Sequence, residues 1–125
     1  MIPLILAQSP NTQTADFLAS EGLANKFSKE LNGEIAHYEI RNFPDGETYI
    51  RVLNDCLNRD IIILANLHQP NNKLLPLIFL CEVLKEMGCN RITLIAPYLP
   101  YMRQDIQFHP GEAVTSRFFA KLLSL

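Results

Sequence analysis

The 125 residues of this chain, 48% hydrophobic and 19% charged, suffice for one soluble globular domain and are too few for two. The formal charge is −2 and no basic block or basic helix face occurs, which argues against nucleic acid as a partner and leaves any affinity for anions to local groups. No apolar run reaches the roughly 18 residues needed to span a membrane, and the Met-Ile-Pro start carries neither a charged n-region nor a cleavage site, so the expected location is the cytoplasm.

Ile2 to Ala7 reads as a buried strand, and Ser9-Pro10-Asn11 as the start of a helix. That helix is predicted from about Thr14 to Leu31, with Phe17, Ala24, Phe27 and Leu31 near one face and Asn32-Gly33 as a left-handed stop. Ile35 to Asn42 and Thr48 to Leu53 are β-rich runs around Phe43-Pro44-Asp45-Gly46-Glu47, a sequence suited to a tight hairpin turn. Asp60 to Leu67 holds four consecutive apolar residues, Ile61 to Leu64, the pattern of a parallel strand covered on both faces. The crossover it requires is predicted from about Lys73 to Gly88, where Leu77, Leu80, Cys81, Leu84 and Met87 keep helical spacing. Ile92 to Ala96 is the next buried strand. After Pro110-Gly111 comes a last helix, with Val114, Phe118, Leu122 and Leu125 as its apolar face. An apolar end without a cap leads us to expect that residues 1–125 are a piece of a longer α/β unit. Of the cysteines Cys56, Cys81 and Cys89, none belongs to a Cys-x-x-Cys pair, so neither a disulfide framework nor a zinc site is suggested, and Cys81 reads as a small buried hydrophobe.

Chemistry is expected at strand carboxyl ends, where ligand crevices of open α/β sheets lie. The stretch PYLPYMRQD, residues 97–105, runs from an apolar strand into a loop carrying Arg103, Gln104 and Asp105. A fixed cation beside an amide and a carboxylate can grip an anionic, hydrogen-bonding ligand such as a nucleotide, although such a run alone is also an ordinary solvated loop with a local ion pair. In FPDGE, Phe43 can stack on a base and Asp45 and Glu47 can accept hydrogen bonds from amino groups, although Pro-Asp-Gly alone is a standard turn sequence. His68 lies in LHQPNN after the buried strand with no adjacent carboxylate or second His, and it reads, like His37 and His109, as a hydrogen-bonding histidine. A Walker-type lysine loop, a Gly-x-Gly-x-x-Gly, a serine elbow and a Cys/His pattern are all missing. A flavodoxin-like receiver module expects paired acids near the first strand, and Leu4 to Ser9 contains none.

The order FPDGE, LHQPNNKLLPL, RITLIAPYLPYMRQD, FHPGEAVTSRFFAKLL resembles ribose-phosphate pyrophosphokinase, also called phosphoribosyl pyrophosphate synthetase, from about Ile2 to the last residue. The resemblance implies an amino-terminal domain of the phosphoribosyltransferase-like α/β type: three layers, a mostly parallel sheet flanked by helices, and a protruding β-hairpin. It implies transfer of the β,γ-pyrophosphoryl group of ATP to O1 of ribose 5-phosphate, giving phosphoribosyl pyrophosphate and AMP with Mg²⁺, in a homo-oligomer whose nucleotide site is shared between subunits. Phe43 would stack on adenine, and Asp45 and Glu47 would hydrogen-bond the nucleoside. The hairpin would meet Arg103, Gln104 and Asp105 of a neighbouring subunit. The family's catalytic His, mobile basic loop and ribose-phosphate loop all correspond to positions past Leu125, so no catalytic residue or metal ligand is expected here. Where the family often has basic residues after Arg-Gln-Asp, this chain has Ile106 and Gln107. That departure supports the alternative of a non-catalytic homologue that regulates or assembles with an active synthetase.

Overall fold

Two uninterrupted apolar runs form the centre of the molecule. In the computed structural model, which describes residues 2–8 and 15–124, they are β1 (Leu4–Leu6) and β5 (Asp60–Leu64). Chain order is β1, α1 (Glu21–Leu31), β2 (Glu34–Ile35), β3 (Tyr38–Asn42), β4 (Thr48–Val52), β5, a 3₁₀ turn (Pro70–Asn72), α2 (Leu74–Glu86), β6 (Arg91–Ile95) and α3 (Thr115–Leu123). One four-stranded sheet has the order β2-β1-β5-β6 with every pair parallel, and β3 pairs with β4 antiparallel in a separate hairpin. The pleat sends alternate residues to opposite faces. Leu4, Leu6, Ile61 and Ile63 pack with α2, α3 and the hairpin root, whereas Ile5, Ile62 and Leu64 pack with α1. This is the expected three-layer arrangement of a parallel sheet flanked by helices, with a hairpin outside it.

Four local expectations are corrected. The first helix begins at Glu21, and Thr14 lies outside the described residues. Ala15 to Ser20 instead passes the carboxyl end of β5: Ala19 N–H donates to Leu64 O at 2.7 Å, Asn66 N–H donates to Phe17 O at 2.9 Å, and Leu18 bridges Ala65. Phe17, Leu18 and Ala19 are consecutive and all buried, a run wider than the apolar stripe of one helix face, while Leu31 is left exposed.

The run from Ile35 to Asn42 is split. Glu34–Ile35 pairs with β1, Ala36 N–H donates to Ile5 O, and the chain turns out at His37, whose N–H is taken by Asn54 Oδ1 at 2.6 Å. Gly33 permits this close pairing, because a Cβ there would sit 2.7 Å from Ile5 Cδ1. Cys56, not Cys81, is the fully buried cysteine. On α3 the buried aromatic is Phe119, with Phe118 51% exposed, because Tyr101 folds back onto Phe119 with ring centroids 5.4 Å apart. The apolar face is thereby rotated by one position, and Leu125 lies outside the described residues.

Candidate functional site

The hairpin has two faces, as alternation demands. Ile40 and Val52 are buried, and with Tyr38 and Ile50 they root the hairpin on the core beside α2. Tyr38 also donates its hydroxyl to Ala7 O at 2.6 Å, beyond the end of β1. The outer face carries Glu39, Arg41, Tyr49 and Arg51, with Arg41 directly opposite Tyr49 in the ladder. At the tip, Phe43 N–H donates to Glu47 O at 2.7 Å, Gly46 N–H to Phe43 O at 2.9 Å, and Glu47 N–H to Asp45 Oδ1 at 3.0 Å. Gly46 adopts φ 93°, the left-handed region in which glycine is at no disadvantage. The turn therefore holds itself, and it lifts the Phe43 ring to 40% exposure. Asp45 keeps one carboxylate oxygen outside this network, and the Glu47 carboxylate makes no bond among the described residues.

Two residues singled out by no sequence motif join Phe43. Tyr49 meets it edge to face at 6.0 Å, and the Arg41 guanidinium lies 4.5 Å from the Tyr49 centroid and 5.4 Å from that of Phe43. The signal for them is positional, since residues two before and six after an exposed aromatic share its hairpin face.

Arg103, Gln104 and Asp105 lie, as expected, in the irregular segment that follows the carboxyl end of β6. Gln104 Nε2 donates to Ile106 O at 2.8 Å, and Ser116 N–H reaches Gln104 O at 3.3 Å. The local ion pair does not form. Arg103 and Asp105 are exposed and make no hydrogen bond or ion pair among the described residues. No bond or ring contact joins them to the hairpin turn either. The first turn of α2 stands between the two motifs, with Leu75 and Pro76 on the hairpin side and Leu74 on the side of Tyr101 and α3.

Two cavities flank this region. One, of about 480 Å³, lies between the hairpin and the start of α2, lined by Asp16, Asn42, Thr48, Asn71 and Asn72 among others. The second, about 260 Å³, opens at the carboxyl ends of β5 and β6 beside Asn66 and Tyr98. Neither is lined by Phe43 or Arg103. The His68 ring packs edge to face on Tyr98 at 5.8 Å, while the His109 backbone N–H is taken by Glu112 Oε1 at 2.6 Å. Burial pushes the thiols of Cys56, Cys81 and Cys89 up, which keeps them protonated and poorly nucleophilic. Among the described residues no three His, Cys, Asp or Glu side chains are grouped to hold a metal ion.

Fold and site together define a three-layer α/β domain that offers an aromatic turn and a separate cationic loop near the carboxyl ends of its parallel strands. The family model described as the N-terminal domain of ribose phosphate pyrophosphokinase matches residues 15–125. The chain belongs to that family. It is 35% identical over 105 residues to a ribose-phosphate pyrophosphokinase of Methanobrevibacter smithii, a match covering 84% of this chain and 35% of that protein. To the protein of the same name from Sulfolobus acidocaldarius it is 37% identical over 106 residues, covering 84% and 36%. The crystal structure of phosphoribosylpyrophosphate synthetase from Mycobacterium smegmatis superposes with a TM-score of 0.82 at 27% identity, over 99% of this chain and 39% of that one. The chain thus spans little more than a third of the length of these relatives. No helix is long and apolar enough to cross a membrane among the described residues.

Proposed function

We propose that this chain supplies the adenine-nucleotide half of a ribose-phosphate pyrophosphokinase, which transfers the pyrophosphoryl group of ATP to O1 of ribose 5-phosphate in the cytoplasm. Phe43 stacks on the base, the open oxygens of Asp45 and Glu47 accept hydrogen bonds from the nucleoside, and Arg103 pairs with the phosphates beside Gln104 and Asp105. A permanently charged planar guanidinium suits phosphate oxygens. Mg²⁺ comes as the ATP complex, held chiefly by phosphate oxygens and water, so the role requires no metal cage of protein side chains. Transfer of this kind relies on positioning and charge stabilisation rather than a protein nucleophile, which agrees with the protonated thiols. The groups that stabilise the charge developing at the reacting phosphorus are expected in the further length of the relatives. The 125-residue chain alone therefore binds nucleotide without releasing AMP.

One observation carries this reading: an exposed aromatic turn and an unpaired cationic loop that do not meet within a single chain. A second copy, presenting its loop to this hairpin, completes the site in a homo-oligomer. Calorimetric titration with ATP tests it. Phe43→Ala should weaken binding by about 1–3 kcal/mol at any salt concentration, whereas the loss in Arg103→Ala should shrink as salt screens the phosphate charge. Mixing the two defective variants should restore strong sites in a fraction of the assemblies, because one copy retains the ring and the other the guanidinium. Full ATP affinity in Phe43→Ala, or no recovery on mixing variants shown to associate, overturns the shared site.

A further inference from the structure

We infer that Arg41 is a positioning residue for the base-binding ring, acting through Phe43 rather than on the nucleotide; this rests on the stacking role proposed above. Three contacts fix the guanidinium on the outer face of the hairpin. Glu39 Oε1 lies 3.3 Å from Arg41 Nε, the Tyr49 ring lies 4.5 Å from Cζ, and the Phe43 ring lies 5.4 Å from it. Tyr49 meets Phe43 at an interplanar angle of 87°, and Arg41 lies over the Phe43 ring. A phenyl group at a hairpin tip with 40% exposure would otherwise turn freely about χ1 and lose that freedom on stacking. Here the cation–π contact holds it beforehand, while the residue keeps the exposure through which a planar base can reach it. Arg41 comes from a strand rather than from the turn, and Glu39 partly neutralises it. Its charge is therefore committed to the hairpin, unlike that of Arg103.

The distinction is measurable with two probes on the full 125-residue chain, ATP and inorganic tripolyphosphate. Exposed cation–π contacts correspond to about 2–5-fold in affinity, so Arg41→Met should weaken ATP by that factor and leave tripolyphosphate unchanged. Arg41→Lys, which keeps the charge and loses the plane, should recover part of the loss. In the Phe43→Ala background Arg41→Met should have no further effect, because the residue it positions is gone. Equal loss for ATP and tripolyphosphate, or a loss that persists without Phe43, would make Arg41 a phosphate ligand and overturn the inference. If Phe43→Ala weakens ATP and Arg41→Met does not, the inference alone fails. If Phe43→Ala also binds ATP fully, or the parent chain binds none, the stacking role fails and the inference with it.

Discussion

The hairpin turn and the loop after β6, the two halves of the candidate site, are built by opposite means. Residues Phe43 to Glu47 close on themselves through three hydrogen bonds, so the turn's shape is set within five residues. The segment between β6 and α3 has no strand or helix, and it holds its course by a tertiary anchor, Tyr101 at φ 64° against the buried Phe119. Stacking is a contact force that fails when the ring moves by an ångström, whereas a charge acts over several ångströms and tolerates placement error. The ring is on the self-held element and the cation on the anchored one, an allocation that suits the role proposed for each.

Phe119→Ala should break the comparison most severely. Truncating a buried Phe costs about 3–5 kcal/mol, and it also removes the surface on which Tyr101 rests. Denaturant unfolding should register that loss, and amide exchange should speed up from Tyr101 to Asp105 more than from Phe43 to Glu47. Equal acceleration in both would mean that the turn, too, depends on tertiary support. Gly46→Ala is the converse test. Nothing lies within 4 Å of the added Cβ, so the cost is that of the left-handed backbone at φ 93°, about 1–2 kcal/mol. Backbone chemical shifts should change across the turn and stay constant from Tyr101 to Asp105. A variant as stable as the parent would show that the turn can re-form without its glycine.

The same contrast explains what could be read from the sequence. Elements governed by local rules were legible: the Ile61–Leu64 strand, the α2 stripe of Leu77, Leu80 and Leu84 ending before Gly88 at φ 82°, and the hairpin around FPDGE. Features that depend on distant partners were not. The non-helical Ala15–Ser20 path, with its turn at Asp16 and Phe17, exists because β5 offers Leu64 O and Ala65 to pair with, and the burial of Phe119 over Phe118 because Tyr101 arrives from the loop. For the site, the motifs identified Phe43 and Arg103 as candidates. Arg41 and Tyr49 needed the ladder register, and the open state of Arg103 beside Asp105 needed coordinates.

The smallest expected effect lies at the other end of the sheet. Cys56 precedes β5 and Cys89 precedes β6, on segments joined by Asn58 N–H to Gly88 O at 2.8 Å and Asn90 N–H to Arg59 O at 2.7 Å, so the thiols sit near amino ends while both halves of the site lie toward carboxyl ends. Burial raises all three thiols above their ordinary 9.0, which means the unfolded chain releases these protons first as pH rises. Their contribution to stability is therefore fully present below about pH 9, and it declines as pH climbs from there through the folded-state values. Urea midpoints at pH 7 to 10 should fall above pH 9 by more in the parent than in Cys56→Ala, the difference removing the shared titration of lysines and tyrosines. Methyl resonances should locate the loosening. Leu57, which packs over Gly88 so closely that a Cβ there would lie 2.8 Å from its Cδ1, should shift, while Ile106 beside the Arg103 loop should not. A shift at Ile106 that tracks Leu57 would mean that the two ends of the sheet respond as one unit, and the independence of the site from its scaffold would be lost.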